Sequence, residues 1–160
     1  ADGAFGIRVP ESGTLEPGEY AVRVRLQPEA DSSLALTDLA RVIVTGAASP
    51  FGEAVLWRRG RSTGPMYLRT ADPRFQRSDR LRLELPVAPG GTPPAVTARM
   101  LDRAGNPLAI PLQVTQRAEP SDDLAWVVVD ASLAPMAAGD YAIEISQGDV
   151  KQLTAFRVVP

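Results

Sequence analysis

Apolar and polar residues alternate along several short segments of the chain. The clearest segment runs from Tyr20 to Leu26, where every second residue is apolar and two arginines fall between them. The same period of two recurs over residues 80–85 and 141–145. A period of two buries one face of a strand and leaves the other in solvent, which is typical of an antiparallel sheet. The pattern therefore predicts an all-β protein.

Turn residues divide the chain into short predicted strands. These strands are residues 4–9, 19–27, 38–45, 53–58, 65–70, 79–86, 95–103, 108–116, 124–130, 140–147 and 152–159. The residues at 102–107 and 147–149 are rich in Gly, Asn and Asp, the composition of hairpin turns. The best helical candidates, 33–41 and 131–138, are too short to compete, and the second is interpreted as a single turn.

One motif occurs twice and determines the predicted organisation. Residues 15–22 read Leu-Glu-Pro-Gly-Glu-Tyr-Ala-Val, and residues 133–143 repeat the Leu, the Pro and then Gly-Asp-Tyr-Ala-Ile. A Pro- and Gly-rich corner before a Tyr that opens the penultimate strand resembles the tyrosine corner of immunoglobulin-like sandwiches. In that corner the hydroxyl bonds to nearby backbone, which explains Tyr in place of Phe. We therefore predict tyrosine corners at Tyr20 and Tyr141, each opening a terminal hairpin.

The repeat predicts two antiparallel β-sandwich units of the immunoglobulin or fibronectin III type. Residues 62–160 supply enough strands for one complete domain of roughly a hundred residues. Residues 1–48 supply only a few strands, and two or three strands seldom form a stable core alone. Residues 49–61 are interpreted as a connector. The sequence thus predicts one complete unit preceded by a partial unit that holds only the terminal strands.

Composition and charge exclude several classes of function. The chain has 160 residues, a net charge of −2 and an isoelectric point near 5.2. The run Arg58-Arg59-Gly60-Arg61 is too short for a nucleic-acid footprint and is interpreted as a solvated loop. No apolar stretch is long enough to span a bilayer. We expect protein partners, including copies of the chain itself, and neither nucleic-acid binding nor membrane insertion.

The sequence gives little support for catalysis or for metal binding. The sequence contains neither His nor Cys, which removes Ser-His-Asp triads, thiol nucleophiles and thiolate metal sites. Residues 102–106 and 119–123 offer oxygen ligands for calcium but lack the dense spacing of a calcium loop. Turn propensity explains both segments. We expect no enzyme activity, no cofactor and no metal.

Several aromatic residues are candidates for contacts beyond a single core. Trp57, Tyr67 and Phe75 lie near the junction of the two predicted units, where they suit either a carbohydrate or peptide platform or packing between the units. Carbohydrate binding has no other support in the sequence. Trp126 shares a predicted strand face with Leu124 and Val128, so we expect it to pack in the core.

The region from Phe51 to Pro160 resembles the C-terminal immunoglobulin-like region of bacterial secreted proteins related to von Willebrand factor type A. The resemblance rests on FGEAVLWRRGRSTGPMYLRTADPRFQRSDRLRLELPV, ARMLDRAGNPLAIPLQV, LAPMAAGDYAIEIS and AFRVVP. In that family such sandwiches look like accessory modules that follow a von Willebrand-type domain. The metal-adhesion motif Asp-x-Ser-x-Ser is absent from this chain. The resemblance therefore implies an extracellular or cell-surface location and transfers no catalytic or ligand-binding residue.

Two functions remain open on the sequence. In the first, the chain is a non-enzymatic extracellular structural protein whose partial unit exposes strand edges that invite β-strand addition. Phe5, Ile7 and Val9 form the candidate strand-exchange segment, and head-to-tail repetition would give a filament. This function requires Ala1 to be a processed terminus and not an excision point. In the second, the chain is a monomeric spacer, or a module for adhesion or carbohydrate binding, within a larger bacterial cell-surface protein.

Overall fold

The computed structural model describes residues 15–28, 33–44, 50–87, 95–119 and 124–160, in which every helix or strand assigned is a β-strand. The strands are β1 (Gly18–Leu26), β2 (Leu36–Val44), β3 (Val55–Arg59), β4 (Leu68–Thr70), β5 (Arg74–Gln76), β6 (Arg80–Val87), β7 (Thr97–Asp102), β8 (Pro107–Leu108), β9 (Leu112–Glu119), β10 (Leu124–Ser132), β11 (Gly139–Gln147) and β12 (Val150–Val159). The all-β prediction is confirmed.

The strands from β3 onward form an immunoglobulin-like sandwich of two five-stranded sheets. One sheet has the order β4-β3-β6-β10-β9 and the other β5-β12-β11-β7-β8. All neighbours are antiparallel except β5 and β12, which run parallel. Alternate residues of the central strands face inward and are almost fully buried; they include Leu81, Leu83, Leu85, Val127, Val129, Ile143, Ile145, Phe156 and Val158. One core therefore lies between the two sheets, as in the immunoglobulin fold.

The described residues divide into two compact units, one with the β1–β2 pair and the other with residues 50–160. The second unit starts earlier than the sequence predicts, because β3 pairs with both β4 and β6 inside the sandwich. Phe51 is also buried and forms a bridge with Val87. The interpretation of residues 49–61 as a connector is therefore wrong. These residues supply the first strand of the complete sandwich.

Arg58 explains why β3 is difficult to recognise at its charged end. Its guanidinium lies 4.9 Å from the centre of the Phe75 ring and donates hydrogen bonds to the carbonyl oxygens of Asp72 and Arg74. Arg58 can thus face inward because two backbone carbonyls accept from one of its amino groups and the Asp79 carboxylate lies 3.6 Å from its Nε atom. The expected solvated loop at residues 58–59 is instead the end of a paired strand.

The sequence pattern does not predict the short strand β5, because Phe75 is its single apolar residue. It pairs in parallel with the end of β12, where Phe75 lies opposite Val158. The Phe75 ring is fully buried and meets Phe156 edge to face, with centroids 6.1 Å apart. The remaining predicted strands have counterparts among the described residues, apart from residues 4–9, which lie outside them.

Candidate functional site

The first unit contains an antiparallel hairpin of β1 and β2 that has the register of a sandwich's terminal hairpin. Gly18 pairs with Val44 and Tyr20 with Val42. In the complete sandwich, Gly139 pairs with Val158 and Tyr141 with Phe156 in the same positions of β11 and β12. The two hairpins therefore place corresponding residues on corresponding faces, because directly opposed residues of a pair share a face.

Both hairpins begin with the same corner. The Tyr20 hydroxyl donates to the Glu16 carbonyl at 2.8 Å, and the Tyr141 hydroxyl donates to the Ala137 carbonyl at 3.0 Å, each four residues back. At Gly18 and at Gly139 the tyrosine two residues on lies so close that an added Cβ would stand 3.6 Å from its Cε2 atom. This is the geometry of a tyrosine corner at both sites.

The two hairpins differ in what their apolar faces meet. In β11 and β12 this face carries Ile143, Ile145, Phe156 and Val158, which are at most 4% exposed. The corresponding face of β1 and β2 carries eight apolar or aromatic residues, Tyr20, Val22, Val24, Leu26, Leu36, Ala40, Val42 and Val44, and also Asp38, which lies opposite Val24. None of these eight residues is buried, and Leu36 is 65% exposed. The first hairpin therefore has a core-type face without a core.

The strand edges of the two hairpins differ in the same way. In the complete sandwich β11 also pairs with β7, and β12 also pairs with β5. Among the described residues, β1 and β2 form a sheet of only two strands. Each outer edge of this hairpin thus presents backbone groups without a strand partner in that part of the chain. An isolated two-stranded hairpin is marginally stable in water.

The aromatic candidates lie in two different environments. Phe75 belongs to the buried core of the complete sandwich, so it has no surface to offer a ligand or a neighbouring unit. The structure corrects the expectation for this residue. Trp57 and Tyr67 are half-buried. Trp57 points to the outer face of its sheet, because its neighbour Leu56 packs against the core.

Trp126 also departs from its expected role. Val127, Val129 and Ala131 of β10 are the residues that enter the core cluster. Trp126 therefore points to the opposite, outer face, where the Arg117 guanidinium lies 5.4 Å from its ring centre. The alternating pattern places Trp126 and Val128 on one face of the strand, as expected. It does not show which face points to the core, since both faces of residues 124–131 are largely apolar.

The outer face of the β4-β3-β6-β10-β9 sheet combines aromatic rings with arginines. The guanidinium of Arg82 lies 4.2 Å, and that of Arg59 5.2 Å, from the centre of the Tyr67 ring. Arg69 lies 5.3 Å from the centre of the Trp57 ring. Arg82 also forms a two-point ion pair with Asp130, at 2.9 and 3.0 Å. Such stacked and forked geometry is characteristic of arginine.

Burial and nearby charges on this face shift the pKa of the Tyr67 phenol. Burial, together with the carboxylate of Asp130, raises the pKa of the Tyr67 phenol, and the nearby Arg59 and Arg82 partly oppose this effect. Tyr67 is therefore neutral at physiological pH and acts here as a ring and a hydroxyl. It has no acid–base role at that pH.

Of the two segments considered for calcium, residues 102–106 lie in the described part of the chain, where Asp102 holds a turn. Both carboxylate oxygens of Asp102 accept hydrogen bonds within the turn, from Ala104 and from the backbone and side chain of Asn106. The described ranges contain no group of three acidic residues suited to hold a metal ion. Residues 120–123 and the strand-exchange candidates Phe5, Ile7 and Val9 lie outside those ranges.

Comparisons with known proteins assign no family. No protein-family model matches the chain, and no curated protein matches it either. Within the described ranges, no helix is both long enough and apolar enough to cross a membrane. The candidate sites are therefore the unpartnered face of the β1–β2 hairpin and the arginine- and aromatic-rich outer face of one sheet.

Proposed function

We propose that the chain is a non-enzymatic extracellular structural protein whose incomplete first unit is completed by strands from another copy of the chain. The observation that carries the proposal is the β1–β2 hairpin. It has the register and corner of the terminal hairpin β11–β12, but among the described residues it has no counterpart of β5 and β7, the strands that flank that hairpin. Completion would let the protein assemble by β-strand complementation, and head-to-tail repetition would produce a filament.

The apolar face supplies the driving force for this completion. Transfer of apolar surface from water contributes about 25 cal/mol per Å². Val42, which is 39% exposed on this face, has the buried counterpart Phe156 in the second hairpin, and Leu36 has the half-buried counterpart Val150. The internal repeat thus identifies the chemistry of the missing cover: a second apolar sheet face of the immunoglobulin type.

The strand edges supply direction and register. In the complete sandwich the parallel strand β5 extends the hairpin at β12, and Phe75 from β5 fills the core beside Phe156. A donor that followed this pattern would run parallel to β2 and insert alternate apolar side chains. Phe5, Ile7 and Val9 have that alternation in the sequence, and we propose them as the donor segment.

The remaining parts of the proposal rest on sequence. The absence of His and Cys removes the commonest proton shuttle and the thiol nucleophile, which supports a non-enzymatic role. The resemblance of residues 51–160 to secreted proteins related to von Willebrand factor type A supports an extracellular or cell-surface location in a bacterium. The competing function is a monomeric spacer or ligand-binding module of a larger surface protein.

Neighbouring residues on opposite faces of β2 provide a matched pair of variants. Val42 lies on the apolar face with Tyr20, and Ile43 lies on the other face opposite Glu19. We expect Val42→Lys to reduce self-association by at least about tenfold, because a buried unpaired charge opposes closure of the face. Ile43→Lys should leave association within about twofold. Sedimentation velocity over a concentration series measures both, and equal effects of the two variants would contradict the proposal.

A further inference from the structure

Four arginines from three adjacent strands meet on the outer face of the β4-β3-β6-β10-β9 sheet. Arg59 of β3 lies directly opposite Arg80 of β6. Arg82 lies opposite Trp57, and Arg69 of β4 lies opposite Trp57 on its other side. Directly opposed like charges destabilise a sheet. The sequence around each arginine is ordinary, and only the strand register brings them together.

Three of the four arginines have no ion-pair partner among the described residues. Asp130 is taken by Arg82 in the two-point pair. Among the described residues, Arg59, Arg69 and Arg80 form no ion pair. We call Arg59, Arg69 and Arg80 the arginine face. Its charge is local, because the whole chain has a net charge of −2.

Aromatic rings hold the side chains of Arg59, Arg69 and Arg82 in place, and the N–H donors of an arginine held in this way can bind a ligand. Arg59 and Arg82 both lie against Tyr67, and Arg69 lies against Trp57. Stacking restricts the side-chain freedom of an arginine while its N–H donors stay directed at carboxylate-type acceptors. Because guanidinium groups already occupy these rings, the face is poorly suited to stack sugars or bases, which need a free ring surface.

We propose that the arginine face binds an acidic, extended peptide segment of a partner protein. Arg59 and Arg80 are directly opposed on adjacent strands and Arg69 lies on the strand beyond, so the guanidinium groups are arranged across strands that lie about 4.8 Å apart. An extended segment that crosses these strands with several acidic side chains matches them in charge. Guanidinium–carboxylate pairs form two parallel hydrogen bonds, which favours this ligand. This proposal is independent of the hairpin and of self-association.

The test uses the full-length chain and a fluorescein-labelled peptide of alternating glutamate and threonine. The comparison peptide carries glutamine in place of glutamate. We expect fluorescence anisotropy to show binding of the glutamate peptide only, weakened by added sodium chloride. Arg80→Gln, at an exposed residue without an ion pair, should weaken binding about two- to fivefold, the range of an exposed pair. The triple variant R59Q/R69Q/R80Q should weaken it at least about tenfold.

Arg103→Gln is the matched control, because Arg103 is exposed in a turn at the edge of the other sheet. Binding of the glutamate peptide that is unchanged by R103Q and lost in the triple variant supports the proposal. Circular dichroism spectra show whether each variant is folded. If the triple variant is unfolded, the comparison of R80Q with R103Q decides the test. Equal binding of both peptides, equal losses in R80Q and R103Q, or tighter binding of single-stranded DNA or heparin than of the peptide overturns it.

Discussion

Single residues at the two corners determine how the hairpins begin. Tyr20 and Tyr141 each donate one hydrogen bond to the carbonyl four residues back. The sequence repeat indicates this role for both tyrosines, because Gly and an acidic residue directly precede each one and a Pro lies a few residues earlier. Corner geometry is local, which is why it is readable from sequence alone.

Replacing Tyr141 with Phe tests the corner in the complete sandwich. We expect the free energy of unfolding to fall by about 1 kcal/mol, since a typical hydrogen bond contributes about 0.5–1.5 kcal/mol. Urea denaturation followed by tryptophan fluorescence gives this value. A stability of Y141F equal to that of the unaltered chain would show that the corner bond contributes nothing.

Glu144 gives the protein a specific response to acid. The residue is 7% exposed, and its carboxylate accepts a hydrogen bond from Arg99 at 2.7 Å, which lowers its pKa below the ordinary value of 4.5. A carboxyl whose folded pKa is depressed stabilises the fold above its unfolded pKa, and this contribution disappears as the pH falls through the folded pKa. The stabilising effect is therefore complete near neutral pH and is lost below about pH 4.5.

Thermal unfolding of Glu144→Gln between neutral and acidic pH measures this contribution. We expect the variant to be less stable than the unaltered chain near neutral pH, because the Arg99 pair is lost. The difference should narrow as the pH falls below the ordinary carboxyl pKa. Two melting-temperature profiles that stay parallel across the whole pH range would contradict the assignment.

At the scale of elements, the sequence predicts which segments form strands but not which strands pair with each other. Residues 20–26, 80–85 and 141–145 alternate clearly, and all three lie within strands. In contrast, β5 contains a single apolar residue and exists because it pairs with the distant end of β12. Residues 53–58 are predicted as a strand but placed in a connector, because the pairing of β3 with β4 and β6 does not show in its own sequence.

The arginine face shows the same limit of prediction from sequence, here at a candidate binding site. Arg59, Arg69 and Arg80 are separated in sequence, and their meeting depends on the register of three strands. The aromatic residues near the site, Trp57 and Tyr67, stand out in the sequence as surface candidates. Their arginine neighbours do not, because composition and local pattern contain no information on register.

The short strand β5 is predicted to be essential despite its length. Phe75→Ala should lower the free energy of unfolding by about 3–5 kcal/mol, the usual cost of removing a buried phenylalanine side chain. Leu153, which is 62% exposed in β12, is the control position. Leu153→Ala should change stability by less than about 0.5 kcal/mol. Chemical denaturation measures both, and a small effect of F75A would mean that β5 is not part of the core.

At the scale of the whole molecule, the complete core lies within residues 50–160. All residues of the buried core cluster belong to that range. We therefore predict that deletion of residues 1–48 leaves a cooperatively folded sandwich whose melting temperature stays within a few degrees of the full chain. Differential scanning calorimetry measures this directly. Loss of the cooperative transition in the truncated chain would show that the first unit is required for the second to fold.

The hairpin β1–β2 gives the molecule its asymmetry. One sandwich is complete, while the other unit presents a core-type face and two strand edges that no strand covers in the described part of the chain. Natural sheets usually protect such edges. In the function we propose, another copy of the chain pairs with this edge and covers the apolar face.

The most direct test of this account is the molar mass of the purified chain, measured by light scattering over a concentration series with negative-stain images of the same samples. We predict masses that rise with concentration above the 17.1 kDa of one chain, together with filaments. Deletion of residues 1–9 should return a monomer. A full-length chain that stays at 17.1 kDa at every concentration would contradict assembly through the hairpin and favour a monomeric spacer or binding module.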